Sequence, residues 1–207
     1  MSEATRILAI RHGQTVWNAD SRIQGHTDIA LDTVGEWQAQ RLALALGDEE
    51  LQAIYSSDLT RARQTAAPLA ARKGLQPRVD PGLRERGFGE FEGLSFKQIE
   101  QRWPEQAEAW RRRDPDFGAR GGEVLRDFRD RVVAAVTRLA QAHRGQSIAL
   151  VTHGGVLDLL YREATRVALD APRTWQLSNA GINRLLSSAE GLFLVGWDDR
   201  AHLQASV

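Results

Sequence analysis

The chain is predicted to adopt an α/β fold: a three-layer α/β/α sandwich around a mostly parallel mixed sheet with an antiparallel edge strand, one domain over residues 1–207. Three observations carry this expectation. The runs Ile7-Leu8-Ala9-Ile10 and Ile148-Ala149-Leu150-Val151 are apolar without alternation, the pattern of strands covered on both faces. Stretches with apolar residues at helical spacing alternate with such runs, which argues for strands and helices in succession. The tail, residues 182–187 and 192–197 around Ala189-Glu190-Gly191, reads as a hairpin.

The elements follow in order. After the first strand and a polar loop, residues 33–46 show helical spacing and stop at Gly47-Asp48. A short strand is expected at 53–55. Ser57-Asp58 is suited to cap a helix running to residue 72, ended by Lys73-Gly74. Arg61 then falls in that helix's first turn, where the backbone dipole favours an anion. Another short strand is expected at 78–79. Residues 87–93, Gly-Phe-Gly-Glu-Phe-Glu-Gly, hold too many glycines for a helix and read as a functional loop. Residues 95–113 predict two short helices separated at Pro104, and Asp114-Pro115-Asp116-Phe117-Gly118 a loop. A long amphipathic helix over 123–143 is ended by Gly145, and a strand at 147–152 and a helix at 155–164 complete the pattern. No internal repeat, linker or low-complexity run interrupts it.

Composition narrows the function. The 207 residues are 42% hydrophobic and 26% charged, ordinary for a globular chain with a real core. With 27 basic and 27 acidic residues the formal net charge is zero, so no global field draws the protein to nucleic acid or membrane. Anion attraction must come from local clusters, and the basic residues are mostly arginine, whose planar fork matches phosphate oxygens. No stretch approaches the roughly 20 apolar residues of a membrane span. The lack of cysteine excludes disulfides, thiolate zinc sites and a cysteine nucleophile. Met1-Ser2-Glu3-Ala4-Thr5-Arg6 has no basic n-region and the apolar run after it is too short for a signal peptide, so a cytoplasmic protein is expected. No pattern sets an oligomeric state.

Both apolar runs end in His-Gly, as Arg11-His12-Gly13 and Thr152-His153-Gly154. In an open α/β sheet the ligand crevice lies beyond the carboxyl ends of the strands, and glycine there lets backbone approach an anion closely. If the two strands are parallel neighbours, both imidazoles reach one pocket.

The residues around these turns carry a resemblance. Arg11-His12-Gly13-Gln14-Thr15-Val16-Trp17-Asn18, then Arg22-Ile23-Gln24-Gly25-His26-Thr27-Asp28 with Leu31 and Gly35, resembles the signature of the histidine phosphatase superfamily, the phosphoglycerate-mutase-like enzymes. So do Tyr55-Ser56-Ser57-Asp58-Leu59-Thr60-Arg61-Ala62-Arg63-Gln64-Thr65-Ala66, Leu83-Arg84-Glu85 leading to Phe91-Glu92-Gly93, and Thr152-His153-Gly154-Gly155, in the family's order. The resemblance implies that His12 is a nucleophile forming a phosphohistidine that water hydrolyses, splitting one hard displacement in two. Such a ring must be neutral, with its other nitrogen donating, for example to a backbone carbonyl. It implies Arg11, Arg61 and His153 as fixed positive partners for the transferring phosphoryl group, in place of a metal or cofactor, with Asn18 as a neutral donor. A protonated His153 would help to keep His12 neutral. Glu85 is the implied proton donor to the leaving alkoxide, and its proton should be retained near bound phosphate; Glu90 and Glu92 are its rivals. Gln24, Gly25 and the Gly154 N–H are expected to border the substrate. The tryptophans read as packing, with Trp110 the candidate exception.

The expected partner is a small-molecule phosphomonoester, hydrolysed rather than isomerised. Phe88 stands where mutases place a substrate-contacting tyrosine, Gly155 replaces their asparagine, and the segment between Glu85 and His153 is shorter than theirs, which favours water access. Against this, Trp110-Arg111-Arg112 before Asp-Pro resembles the mutases' paired arginines, so Arg111 and Arg112 are candidates for binding a second acidic group. Cofactor-dependent phosphoglycerate mutase is therefore the alternative. A silent phosphate-binding relative would usually lack one of His12, Arg11, Arg61, Glu85 or His153, and a metal hydrolase using His12, His26 and His153 would lack short ligand spacing.

Overall fold

A computed structural model describes residues 4–204, and the ends of the expected 1–207 span, including Met1 to Glu3 of the leader reading, lie outside the described residues. Six strands form one sheet: β1 (Thr5–Arg11), β2 (Ala53–Ser56), β3 (Arg78–Val79), β4 (Ser147–Thr152), β5 (Ile182–Ser188) and β6 (Gly191–Asp199), in the order β3-β2-β4-β1-β5-β6. Strands β3, β2, β4 and β1 are parallel, β5 runs antiparallel to β1, and β6 closes the predicted hairpin antiparallel to β5. The two unalternating runs are thus the central pair, in register from Arg6↔Ser147 to Arg11↔Thr152.

Helices cover both faces. On one side α6 (Leu125–Gln141) and α7 (Gly154–Thr165) pack through Phe128, Val132, Val136, Leu157 and Leu160 onto Ile7, Ala9, Ile148 and Leu150. On the other, α2 (Thr33–Ala45) and α3 (Thr60–Lys73) place Leu42, Leu46, Ala62, Ala66 and Leu69 against Leu8, Ile10, Ala149 and Val151. Alternate side chains of each central strand therefore enter opposite layers, so neither face could stay polar. A satellite cluster around Phe91, Ile99 and Ala107 holds the two short helices α4 (Phe96–Arg102) and α5 (Pro104–Arg111), which break at Pro104 as expected. One further helical turn, α1 (Val16–Ala19), follows β1; its capping box of Thr15 and Asn18 was not recognised in the sequence.

One expected cap is displaced. Helix α3 begins at Thr60 with Leu59 as N-cap, and the free Thr60 N–H is met at 2.7 Å by Asp28 Oδ1 from the loop after β1. Asp58 is instead held by Arg84, and Ser57 accepts only from Leu59 N–H. A carboxylate brought in by tertiary structure substitutes for the local one.

Candidate active site

Because Arg11 and Thr152 are register partners, the chain leaves both central strands at one level, and the rings of His12 and His153 stand 5.2 Å apart, centroid to centroid. His12 N–H donates to Thr152 O at 2.9 Å, and Gly13 N–H to Thr65 Oγ1 at 2.9 Å. The glycines beside this turn answer to space. A Cβ on Gly13 would lie 2.6 Å from Gly35 O, and one on Gly35 2.1 Å from Gln14 O, so the first turn of α2 rests directly on the His-Gly bend.

His12 is buried, with Nδ1 2.7 Å from Gly13 O. A carbonyl only accepts, so Nδ1 carries the proton and Nε2 keeps its lone pair. Burial, then Arg61 and Arg11, push the His12 pKa well below the usual imidazole value despite the Gly13 carbonyl. His153 is fully buried as the N-cap residue of α7, and neither ring nitrogen has a partner. Burial and Arg61, with lesser contributions from His12, Arg11 and His26, push its pKa well down too. The expectation of a protonated His153 beside a neutral His12 is therefore corrected for the ligand-free site, where both rings are neutral.

Fixed positive charge surrounds the pair. Arg61, fully buried, donates from Nη2 to Gly25 O at 2.7 Å and from Nη1 to Thr27 O at 3.0 Å. Arg11 donates to Leu177 O. Burial lowers the pKa of both guanidiniums, opposed by the nearby Glu85. Arg11 Nε, Arg61 Nε and both nitrogens of His153 remain buried without a hydrogen-bond partner. Each such atom costs about 1–3 kcal/mol, and an oxyanion would relieve it. Asn18 Oδ1 accepts from Thr15 N–H at 3.1 Å and from Asn179 Nδ2 at 3.2 Å, leaving its own amide N–H groups to the cavity. Gln24 accepts from Thr15 Oγ1 at 3.0 Å. Gly25, at φ +54°, makes the turn that presents its carbonyl to Arg61.

The three carboxylates separate by location. Glu85 lines the cavity, with Oε2 accepting from Gly155 N–H and Oε1 from Arg86 N–H, both at 2.9 Å. A Cβ at Gly155 would stand 2.1 Å from Glu85 Oε1, so that glycine makes room for the carboxylate. Glu92 instead ties down the 24–27 loop, accepting from His26 N–H, Thr27 N–H, Thr27 Oγ1 and Phe88 N–H. Burial opposes its ionisation, but those donors prevail and hold its pKa below the usual carboxylate value. Glu90 meets Gln106 and is not among the cavity residues.

The cavity, about 370 Å³, is lined by Arg11, His12, Asn18, Gln24, Gly25, Arg61, Glu85 and Gly154, with Phe88 and the anticipated Trp110 on its wall. His153 is fully buried against His12, behind the lining residues rather than among them. Arg111 and Arg112, expected at the substrate, are absent from the lining. Arg111 is paired with Glu100 and Glu108 and Arg112 with Glu108, on the exposed side of α5. The cavity instead receives Arg113, the last of the 111–113 arginine run, and Arg86 and Arg173, which no sequence motif marked. Among the described residues no three His, Asp or Glu side chains cluster as a metal site, and no helix is long and apolar enough to cross a membrane.

The two depressed histidines set a pH dependence of stability. In the unfolded chain each takes up a proton below about pH 6.5, whereas the folded site keeps both neutral to lower pH. The unfolded state then binds more protons, so this stability is present above 6.5 and lost as pH falls, at up to about 1.4 kcal/mol per pH unit for each ring. The ligand-free protein should therefore lose Tm steeply between pH 6.5 and 5, and His153→Ala should flatten that slope. A Tm indifferent to pH over this range would contradict the buried neutral pair.

Known proteins resemble the chain over most of its length. Residues 7–200 match the profile of the histidine phosphatase superfamily, branch 1. Phosphoglycerate mutase-like protein 4 of Arabidopsis thaliana is 39% identical over 204 residues, covering 96% of this chain and 86% of the relative. The metal-independent phosphoserine phosphatase of the same plant is 36% identical over 207 residues, covering 99% and 85%. Mycobacterial glucosyl-3-phosphoglycerate phosphatase, solved with VO3, superposes with a TM-score of 0.85 at 33% identity, covering 94% of this chain and 99% of that one. With the paired His-Gly turns, the buried Arg61, the partly buried Arg11 and a carboxylate on one cavity, the chain belongs to branch 1 of the histidine phosphatase superfamily.

Proposed function

We propose that the protein hydrolyses small phosphomonoesters without a metal, through a phosphohistidine on His12. The observation that carries this reading is the juxtaposition of a neutral His12, its Nδ1 proton committed to Gly13 O, with the unpartnered nitrogens of Arg11, Arg61 and His153. His12 Nε2 attacks phosphorus as the bond to the leaving oxygen breaks, Arg11 and Arg61 hold the phosphoryl oxygens, and Glu85 gives the leaving alkoxide its proton. Water then attacks the phosphohistidine, losing a proton to Glu85 and releasing phosphate. His153 takes up a proton when the phosphate dianion enters, since the anion's charge offsets the burial and the arginine field that keep the ring neutral.

Hydrolysis is favoured over isomerisation by the phosphatase relatives and by Phe88, whose ring packs tilted against Trp110 at 5.4 Å on the cavity wall and offers no hydrogen bond. The enzyme would act on diffusible metabolites in the cytoplasm. Purified protein should hydrolyse p-nitrophenyl phosphate and metabolite monoesters at a rate unchanged by exhaustive chelation, and vanadate should inhibit by taking five-coordinate geometry at His12. Activity lost on chelation and restored by a divalent ion would point to a metal hydrolase. Faster interconversion of phosphoglycerates than hydrolysis would point to a mutase.

A further inference from the structure

Glu85, the proton donor of the proposed reaction, is carried on a short segment whose backbone is held by side chains. The consecutive carbonyls of Gly82, Leu83, Arg84 and Glu85 are each met by a side-chain donor. Arg131, on α6, gives Nη1 to Gly82 O at 3.0 Å and to Arg84 O at 3.1 Å, and Nη2 to Glu85 O at 3.2 Å. Thr152 Oγ1, at the end of β4, donates to Leu83 O at 2.8 Å. His26 Nε2 lies 2.9 Å from Glu85 O, and since a carbonyl only accepts, that nitrogen carries the proton.

The Arg131 guanidinium is fully engaged. Its Nε and Nη2 pair side-on with Glu123 Oε1 and Oε2, both at 2.8 Å, so every N–H of the planar fork has an acceptor. Glu123 in turn closes on the residues after Glu85: its N–H donates to Gly87 O at 2.7 Å and its carbonyl accepts from Arg86 Nε at 2.9 Å. Gly82 sets how closely the segment rests on α6. A Cβ there would stand 2.6 Å from the Cβ of Ala135, one helical turn beyond Arg131. Neither Arg131 nor Glu123 is among the residues that line the cavity, so their effect on the reaction passes through Glu85.

We propose that Arg131, locked by Glu123, is a positioning residue that aims the Glu85 carboxyl at the leaving oxygen. The carbonyls of Arg84 and Glu85 belong to the two peptide planes that flank the Glu85 Cα, and one guanidinium holds both. With both planes fixed, the two soft backbone torsions of Glu85 are fixed, and its side chain departs in one direction. The N–H groups of Gly155 and Arg86 then hold the two carboxylate oxygens. Glu123 neutralises the charge of Arg131, so the pair acts by geometry rather than by field. The inference rests on the phosphomonoesterase reading and adds to it two residues outside the signature motifs.

The test compares kcat/KM on 3-phosphoglycerate, whose leaving group is an alkoxide, with that on p-nitrophenyl phosphate, whose leaving group needs little proton. Arg131→Lys keeps the charge beside Glu123 but has fewer donors and no planar fork. It should lower kcat/KM by about 10-fold or more on 3-phosphoglycerate and by no more than about 2-fold on p-nitrophenyl phosphate, since small displacements of a reacting group are costly only where that group is used. In the Glu85→Gln background the same substitution should cause no further loss on 3-phosphoglycerate, because the group it positions is gone. Glu123→Gln, which unlocks Arg131 without removing it, should show the same split between substrates and decides the matter if Arg131→Lys does not fold. No loss, equal losses on the two substrates, or losses that multiply in the double variant overturn the positioning role and leave Glu85 as the donor. A Glu85→Gln protein that itself fails to distinguish the two substrates overturns the reading of Glu85, and the positioning role with it.

Discussion

Replacing His12 by alanine is expected to lower kcat by more than about 10³-fold on every phosphomonoester, because the first half-reaction has no other acceptor. Rapid quench with labelled substrate should trap an acid-labile, base-stable phosphoprotein in the wild type and none in His12→Ala. The variant should fold, since the ring contributes one hydrogen bond, to Gly13 O, and removing a buried histidine of depressed pKa removes a source of acid instability. Undiminished hydrolysis by folded His12→Ala would end the phosphohistidine mechanism while leaving the family assignment intact.

Glu85→Gln should show a loss that depends on the leaving group. General acid catalysis contributes roughly 10² to 10⁴-fold, and that loss should fall on alkoxide leaving groups, whereas p-nitrophenolate departs with little help from a proton. The carboxylate also accepts from the N–H groups of Gly155 and Arg86, and a glutamine amide can replace one of those acceptors but not both. A fall in Tm equivalent to about 1 kcal/mol is therefore expected beside the kinetic effect. Equal losses on both classes of substrate would make Glu85 structural and return attention to Glu90 and Glu92.

Much of this architecture is legible in the chain because its strongest signals are local. The unalternating runs at 7–10 and 148–151 reveal buried parallel strands, and the His-Gly bends after them mark the crevice. The resemblance points to Glu85, but its rivals are set aside only in three dimensions, where Glu92 is consumed by backbone donors from the 26–27 segment and Phe88. The cap of α3 was misplaced for a related reason: Asp28, far away in sequence, outcompetes the adjacent Ser57-Asp58 for Thr60 N–H. Arg111 and Arg112 follow from the likeness to paired arginines, and helix periodicity gives no warning that their neighbour Arg113 leaves the helix through a left-handed residue and reaches the cavity. Arg86 and Arg173 have no spacing to mark them, since what brings them to the cavity is the fold of loops around it. His153 was expected to be charged because sequence shows which groups are neighbours but not how completely water is excluded from them.

The loop from 166 to 181 has a consequence for when the enzyme can work. It carries Leu177, whose carbonyl holds Arg11, and Asn179, which donates to His12 O at 2.9 Å across 167 positions of sequence. Ala180 N–H adds a bond to Arg11 O, and β5 completes the flank of β1. During synthesis His12 leaves the ribosome well before its supports, since Asn179 follows it by 167 positions. Until residue 180 and β5 have docked, His12 lies beside an unpaired strand edge, without the contacts that fix its neighbour Arg11. On the proposed mechanism, competence for phosphoryl transfer therefore waits for this segment, and a chain that has not yet added it holds His12 without the contacts that set its surroundings.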